Sequence, residues 1–171
     1  MQTTFPQLLL THAKQRPLAP AMREKEYGIW QTISWQAMAT MVAHMACGLH
    51  QAGLKRGEHM VVVGSNRPRL YATMLAAQSL GAIPIPLYQD AAASECVFPM
   101  TNAEVRLCVV EDQEQVDKML EVRETYAALE HIYYDDPRGL RKYDEPGLGS
   151  VDELLAAGEA FAKQHPHFYK E

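Results

Sequence analysis

The chain has 171 residues, of which 47% are hydrophobic and 22% are charged, and its formal net charge is -5 at pH 7. This composition is typical of a soluble globular protein, and one domain is the default at this length. The acidic balance and the lack of a long Lys/Arg run argue against nucleic-acid binding and against attachment to anionic membranes. The apolar run Leu8–Leu10 is too short for a signal peptide or a membrane span, so we expect a cytoplasmic protein without a transmembrane segment.

The cysteines indicate neither a disulfide framework nor a zinc site. Cys47, Cys96 and Cys108 are odd in number and include no Cys-x-x-Cys pair. His44 and Cys47 are three residues apart on a predicted helix, but no further ligands lie at a suitable spacing. We therefore predict buried free thiols and no metal site.

The first half of the chain predicts a hairpin followed by strand and helix in alternation. Residues 21–27 and 29–33 form the hairpin, which turns at Gly28. Apolar residues at helical spacing predict a helix from Ser34, as its N-cap, to a Schellman ending at Gly53 and Leu54. A buried strand at 59–63, a helix from Pro68 to Leu80 and a strand at 83–87 follow.

The second half continues this alternation. Asp112 and Gln115 form a predicted capping box for a helix whose apolar stripe includes Val116, Met119, Leu120 and Ala127. Ser150 and Glu153 form a second box, for a helix ending near Lys163. The other predicted elements are a short helix at 94–101, strands at 105–110 and 131–134, and a surface loop at 135–149.

Alternation of strand and helix predicts the fold class. Successive strands joined by helices form a parallel sheet with right-handed crossovers. We therefore predict an α/β fold, an open doubly wound and mostly parallel sheet flanked by helices, with an N-terminal β-hairpin.

The strand Ile83–Leu87 contains two prolines, Pro84 and Pro86, which cannot donate to a sheet ladder. Backbone donors two residues apart point to the same side of a strand, so both missing donors lie on one side. An edge strand is the main interpretation. The alternative is functional, because a polar loop at the carboxyl end of such a strand is where open α/β sheets bind ligands.

Motifs for nucleotide and hydrolase chemistry are missing from the sequence. It contains no Gly-x-Gly-x-x-Gly, no Walker loop, no His-Glu-x-x-His and no Gly-x-Ser-x-Gly. Glu111 and Asp112 could bind a cation, although helix capping explains Asp112 more simply.

The run from Thr32 to Asp112 resembles the N-terminal part of the AMP-forming acyl-CoA synthetases, the adenylate-forming superfamily. Four segments match in order: Thr32–Met38, Gly53–Glu58 with Val61, Ser65–Asn66, and Gly81–Ala82 with Pro86–Leu87. The ending "PLYQD" and the downstream runs "VVEDQEQVDKMLEV" and "YYDDPRGLRKY" resemble the long-chain fatty-acid CoA ligase branch in particular.

The resemblance implies a ligase that uses Mg-ATP and coenzyme A. A fatty-acid carboxylate attacks the α-phosphate of ATP, and the thiol of coenzyme A then displaces AMP. The family's Ser/Thr/Gly-rich phosphate loop, its ribose-binding acidic residue and its C-terminal lysine have no counterparts in residues 1–171. We therefore interpret the whole chain as an N-terminal subdomain fragment, inactive by itself, with no tightly bound cofactor and with the acyl substrate held by the missing part.

No catalytic residue of the family has a matching position, so none is assigned. The resemblance places the loop after the proline strand on the coenzyme A side, which makes Tyr88 and Gln89 candidate substrate-binding residues. Lys118, on the helix after Val110, could approach the phosphates of coenzyme A. For all three residues, a solvated surface position is the competing interpretation.

Two other classes of protein remain open. One is a stand-alone flavodoxin-like α/β module for binding or signalling, although no aspartate follows the strand at 59–63, as a receiver domain would need. The other is an inactive scaffold that forms a homo-oligomer or binds a partner through exposed sheet surface.

Overall fold

The computed structural model describes residues 3–170. Within these residues, seven strands and six helices are followed by a short 3-10 helix, Phe168–Lys170. The strands are β1 (Pro20–Glu26), β2 (Ile29–Ser34), β3 (His59–Val63), β4 (Ile83–Leu87), β5 (Leu107–Val110), β6 (His131–Tyr134) and β7 (Leu148–Ser150). The helices are α1 (Phe5–Gln15), α2 (Trp35–Gln51), α3 (Pro68–Ser79), α4 (Ala93–Asn102), α5 (Gln113–Thr125) and α6 (Val151–Gln164).

Five strands form one sheet in the order β4-β3-β5-β6-β7, and every neighbouring pair is parallel. Strands β1 and β2 form a separate antiparallel hairpin. The predicted fold class is therefore confirmed, as is the edge position of the proline strand β4. The order of the five strands is the one found in flavodoxin-like folds, so the sheet alone does not separate those folds from other α/β proteins.

Side chains of the central strands alternate between two cores, one on each face of the sheet. Met60 and Val62 join the larger cluster with α1, α2, α3 and α6, whereas Val61 and Val63 join the cluster with α4 and α5. Because both faces are covered, β3 and β5 are apolar along nearly their whole length, as expected for buried parallel strands. All three cysteines are buried free thiols, as predicted.

Helix α2 begins and ends as its sequence predicts. The Ser34 hydroxyl accepts a hydrogen bond from Ala37 N at 3.2 Å. At the other end, Gly53 adopts a φ of +93°, and Leu54 N donates to Leu49 O at 3.0 Å, which is the Schellman bond. Met38, Val42, Met45 and Leu49 are buried on the face toward the sheet.

Helices α2 and α6 approach each other closely through two glycines. A Cβ on Gly158 would overlap the carbonyl oxygen of His44 and would lie 2.7 Å from Gly48 N. A Cβ on Gly48 would overlap Leu154 O in turn. Only hydrogen in place of a side chain allows the two backbones this separation.

Several details differ from the sequence predictions: helix α1 was not predicted, and the strand predicted at 105–110 begins at Leu107. The loop predicted at 135–149 is shorter, because Leu148–Ser150 pairs with β6 as β7. Helix α5 ends at Thr125, so Ala127 lies outside it and is exposed. Asp112 caps α5 by accepting from Gln115 N at 3.3 Å, but the side chain of Gln115 accepts from Lys118 Nζ and does not complete the box.

Candidate functional site

The direction of chain crossover reverses between β3 and β5. Helix α3 leads from β3 to its neighbour β4 on one face, and α4 leads back across β3 to β5 on the other. Open α/β sheets bind ligands outside the carboxyl ends of their strands at such a reversal. Here these ends carry Ser65, after β3, and Glu111, after β5.

Glu111 lies in the crevice between the two strand ends. Its Oε2 accepts from Ser65 N at 2.6 Å, and Ser65 Oγ lies 2.8 Å from Oε1. Gly64 makes this possible, because a Cβ there would lie 2.6 Å from both Glu111 Cβ and Leu70 Cδ1. The close approach of β3 to the Glu111 side chain therefore requires glycine.

Arg67 neutralises the Glu111 carboxylate and reaches the hairpin. Its Nε donates to Glu111 Oε1 at 2.9 Å, and its Nη1 lies 3.9 Å from Glu24 Oε2 on β1. Burial raises the pKa of Glu111, but hydrogen bonds from Arg67 and Ser65 outweigh burial and hold this pKa below its ordinary value. Glu111 is therefore a structural anion at neutral pH, unsuited to act as a general base.

Arg69 makes a second bridge along the same edge. It lies 3.1 Å from Asp135, which follows β6, and 2.7 Å from Asp152 in the first turn of α6. Burial raises the pKa of Asp135 above its ordinary value, and pairing with Arg69 offsets only part of that rise. The two arginines at the start of α3 thus connect the hairpin, β5, β6 and α6.

An open cleft of about 610 Å³ lies between this network and the hairpin. Its walls carry both acidic and basic side chains, and Arg138 pairs with Asp136. The cleft is lined by Glu24–Tyr27, Arg67–Arg69, Glu111 and Asp135–Arg138.

The predicted substrate-side residues lie at the same edge of the sheet, beyond the end of β4. Lys118 Nζ donates to the carbonyl oxygen of Gln89 and to Gln115 Oε1, the latter at 2.8 Å. The structure therefore brings Lys118 and Gln89 together. Tyr88 is 72% exposed, and its hydrogen bond to Asp90 raises the pKa of its phenol.

Sequence reasoning missed the Ser65, Arg67, Glu111 and Asp135 network, although a signal for it existed. A polar residue follows each of the strands β3, β5 and β6 within two positions. Carboxyl ends of parallel strands meet at one edge, so these residues must come together once the strand order is known. Within residues 3–170, no group of three or more His, Cys, Asp or Glu side chains is arranged to hold a metal ion.

The family model for AMP-binding enzymes matches residues 9–169. The chain belongs to the AMP-binding enzyme family. The resemblance to adenylate-forming acyl-CoA synthetases is thereby confirmed, and the fold agrees with it.

Three relatives illustrate how much of the family the chain covers. An uncharacterized protein of Mycobacterium tuberculosis is 30% identical over 130 residues, which are 76% of this chain and 71% of that protein. A long-chain-fatty-acid–CoA ligase of Mus musculus is 26% identical over 117 residues, 68% of this chain but 18% of the ligase. The structure of acetoacetyl-CoA synthetase from Streptomyces lividans superposes with a TM-score of 0.77 at 19% identity, over 88% of this chain and 24% of the synthetase.

The chain therefore spans a small part of the characterised enzymes, and most of another short relative. No helix within residues 3–170 has both the length and the apolar character needed to cross a bilayer.

Proposed function

We propose that this chain forms the N-terminal portion of an ATP-dependent long-chain fatty-acid–CoA ligase of the cytoplasm. The observation that carries the proposal is the match to AMP-binding enzymes over residues 9–169. The choice of a long-chain acyl substrate is supported by the names of relatives such as the mouse ligase. It is also supported by the segments after β4, β5 and β6 that resemble this branch.

The proposed reaction has two steps. The fatty-acid carboxylate attacks the α-phosphorus of Mg-ATP, so that a C–O–P linkage forms and pyrophosphate leaves. The thiolate of coenzyme A then attacks the acyl carbon, and AMP leaves as the thioester forms. Positioning and neutralisation of phosphate charge supply most of the rate in reactions of this kind.

The described residues do not fit the phosphates and metal ion of Mg-ATP. The carboxylates of Glu111 and Asp135 are paired with Arg67 and Arg69, and the amide of Ser65 is already bound to Glu111. Among the residues that the structure describes, no three or more acidic, His or Cys side chains are grouped to hold a metal ion. These pairings support the proposal that the 171-residue chain is inactive alone, and no reaction step is assigned to its residues.

The contribution that we propose for this chain is to shape the coenzyme A side of the site. Tyr88 offers an exposed aromatic ring, on which an adenine could stack. Lys118 holds the carbonyl of Gln89, so its role in this proposal is to fix the loop that presents Tyr88 and Gln89.

Thioester formation tests the function. The 171-residue chain and the longest polypeptide made from its coding region are each incubated with Mg-ATP, coenzyme A and fatty acids of graded length, and acyl-CoA is measured by mass spectrometry. We expect acyl-CoA from the longer polypeptide only. Acyl-CoA from the short chain would contradict its proposed inactivity, and no acyl-CoA from either would contradict the fatty-acid assignment.

Binding of coenzyme A to the short chain tests the residues separately. In ¹⁵N-resolved NMR titrations with coenzyme A, we expect shifts concentrated at Tyr88, Gln89 and the helix around Lys118, and weaker shifts in Tyr88→Ala. The matched control is Tyr71→Ala, which removes an exposed tyrosine of α3. Shifts that are spread over the surface, or unchanged in Tyr88→Ala, would contradict the assignment.

A stand-alone flavodoxin-like binding module is the second candidate, and the strand order is compatible with it. The hairpin β1–β2 and the family match over almost the whole chain favour the ligase instead. Tight binding of a flavin or nucleotide by the short chain, together with no acyl-CoA from the longer polypeptide, would reverse this preference.

A further inference from the structure

Among residues 3–170, no strand pairs with the outer edge of β4, and this edge offers hydrogen-bond acceptors but no donors. Ile83 N donates to Glu58 O at 2.8 Å, so the parallel register turns Ile83, Ile85 and Leu87 toward β3. Residues Pro84 and Pro86 therefore face outward, and neither has an N–H group. Their carbonyl groups remain on this edge as acceptors.

The two prolines occupy the positions that a second copy of the chain would need. If two β4 strands paired antiparallel about a two-fold axis at Ile85, residue 84 of each copy would lie opposite residue 86 of the other. In that register, non-proline residues at positions 84 and 86 would form hydrogen-bonded pairs, and each pair would exchange two N–H···O bonds. All four donors, two prolines in each of two copies, are missing. The proline rings also occupy the space of the missing hydrogens.

The opposite edge of the sheet has donors, but internal acceptors use them. Ile132 N donates to Gly147 O, which turns Gly149 toward β6 and Leu148 and Ser150 outward. Leu148 N donates to Glu145 O at 3.1 Å, and Ser150 N donates to Glu153 Oε2 at 2.8 Å. The capping box of α6 thus also removes the last outward donor of β7.

We propose that neither outer edge of the sheet, at β4 or at β7, can accept an additional strand. Pro84 and Pro86 prevent β4 from pairing with β4 of a second copy. Exposed sheet edges are the usual sites of edge-to-edge association, and proline is one of the residues that blocks it. Edge pairing between copies of this chain is therefore blocked, and helices cover both faces of the sheet.

The test restores the donors and reads out the register. In the double variant Pro84→Val/Pro86→Val, an added Ile85→Cys places two thiols directly opposite each other in the non-hydrogen-bonded pair, with Cα atoms about 4.5 Å apart. That separation permits a disulfide. We expect this triple variant to form a disulfide-linked dimer under mild oxidation. A variant in which only one of the two prolines is replaced restores half of the donors, so it should give less dimer.

Two controls make the result specific. Ile85→Cys in the otherwise unchanged chain keeps the prolines and should remain monomeric. Ile83→Cys in the double variant is the matched control, because residues 83 of the two copies would be about 13 Å apart in the proposed register, too far to bridge. Circular dichroism and the thermal midpoint verify that each variant is folded.

Equal cross-linking of Ile85→Cys with and without the prolines would overturn the proposal, because the edge would then pair despite them. A folded double variant that forms no Ile85→Cys dimer would also overturn it, since restored donors would not open the edge.

Discussion

The contact between α2 and α6 and the network around Glu111 hold the molecule together in different ways. At the helix contact, Gly48 and Gly158 bring two backbones together because neither carries a side chain. At the carboxyl edge of the sheet, Arg67 and Arg69 connect elements through paired charges. The helix contact depends on the close fit of two backbones, which leaves no room for an added methyl group. The edge network depends on the ionisation of Glu111 and Asp135 and on their pairing with the arginines. Substitutions in the two regions should therefore differ in size and in pH dependence.

The largest effect is expected from Gly158→Ala. The new methyl group would overlap His44 O, so α6 must move away from α2 and the apolar cluster between them must open. We expect a loss of about 3 kcal/mol in the free energy of unfolding, measured by urea denaturation, despite alanine's better helix propensity. The control is Ala157→Ser at the exposed neighbouring position, which should change stability little. An unchanged midpoint for Gly158→Ala would contradict the close approach.

A smaller loss is expected from Glu111→Gln. The amide keeps the shape of the side chain but removes the charge that Ser65 and Arg67 bind. Hydrogen bonds to charged groups contribute more than neutral ones, so we expect a loss of about 2 kcal/mol at pH 7 in urea denaturation. Glu121→Gln, at an exposed position of helix α5, should be nearly neutral. Equal effects of both substitutions would show that the network contributes nothing specific.

The sign of the pH dependence separates Glu111 from Asp135. The lowered pKa of Glu111 means that its contribution is present above the unfolded pKa and is lost as pH falls through the folded pKa. The raised pKa of Asp135 has the opposite sign, because stability is lost as pH rises through its folded pKa. As the pH rises from about 3 to 6, the loss of stability caused by Glu111→Gln should grow. Over the same rise in pH, Asp135→Asn should become more stable relative to the unchanged chain. Parallel urea titrations check this, and the same sign for both would contradict the assignment of the two environments.

The smallest effect is expected from Arg106→Gln. Arg106 pairs with Glu130 at 2.7 Å, but both side chains are close to half exposed. Exposed ion pairs rarely contribute measurably, because solvent and salt screen them. The thermal midpoint should be unchanged at physiological salt. A clear drop would mean that this pair, at the amino end of the sheet, is as important as the Glu111 network.

Local patterns predicted the elements that local physics determines. The cap at Ser34, the apolar face of α2 and the ending at Gly53 lie within one stretch of sequence, and all three are confirmed. The prolines of β4 likewise predicted an edge, because a missing donor has the same consequence in any fold.

Elements that depend on distant partners were not predicted. Strand β7 has three residues, one of them glycine, and it exists because β6 offers an edge on which to pair. Helix α1 was also missed, although its signal is local: Thr4 and Gln7 form a capping box, and Pro6 lies in the first turn. The pairing of Glu111 with Ser65 could be found only after β3 and β5 were known to be neighbours, a relation that no short stretch of sequence contains.

We propose that this chain helps to shape the site of an adenylate-forming ligase whose phosphate chemistry is performed by other parts of the enzyme. Fatty-acid-dependent exchange of labelled pyrophosphate into ATP measures the adenylation step alone, without coenzyme A. We predict exchange that depends on a long-chain fatty acid in the longest polypeptide of the coding region, and none in the 171-residue chain. Exchange by the 171-residue chain itself would contradict the account, because it would require a phosphate site among residues whose charges are already paired.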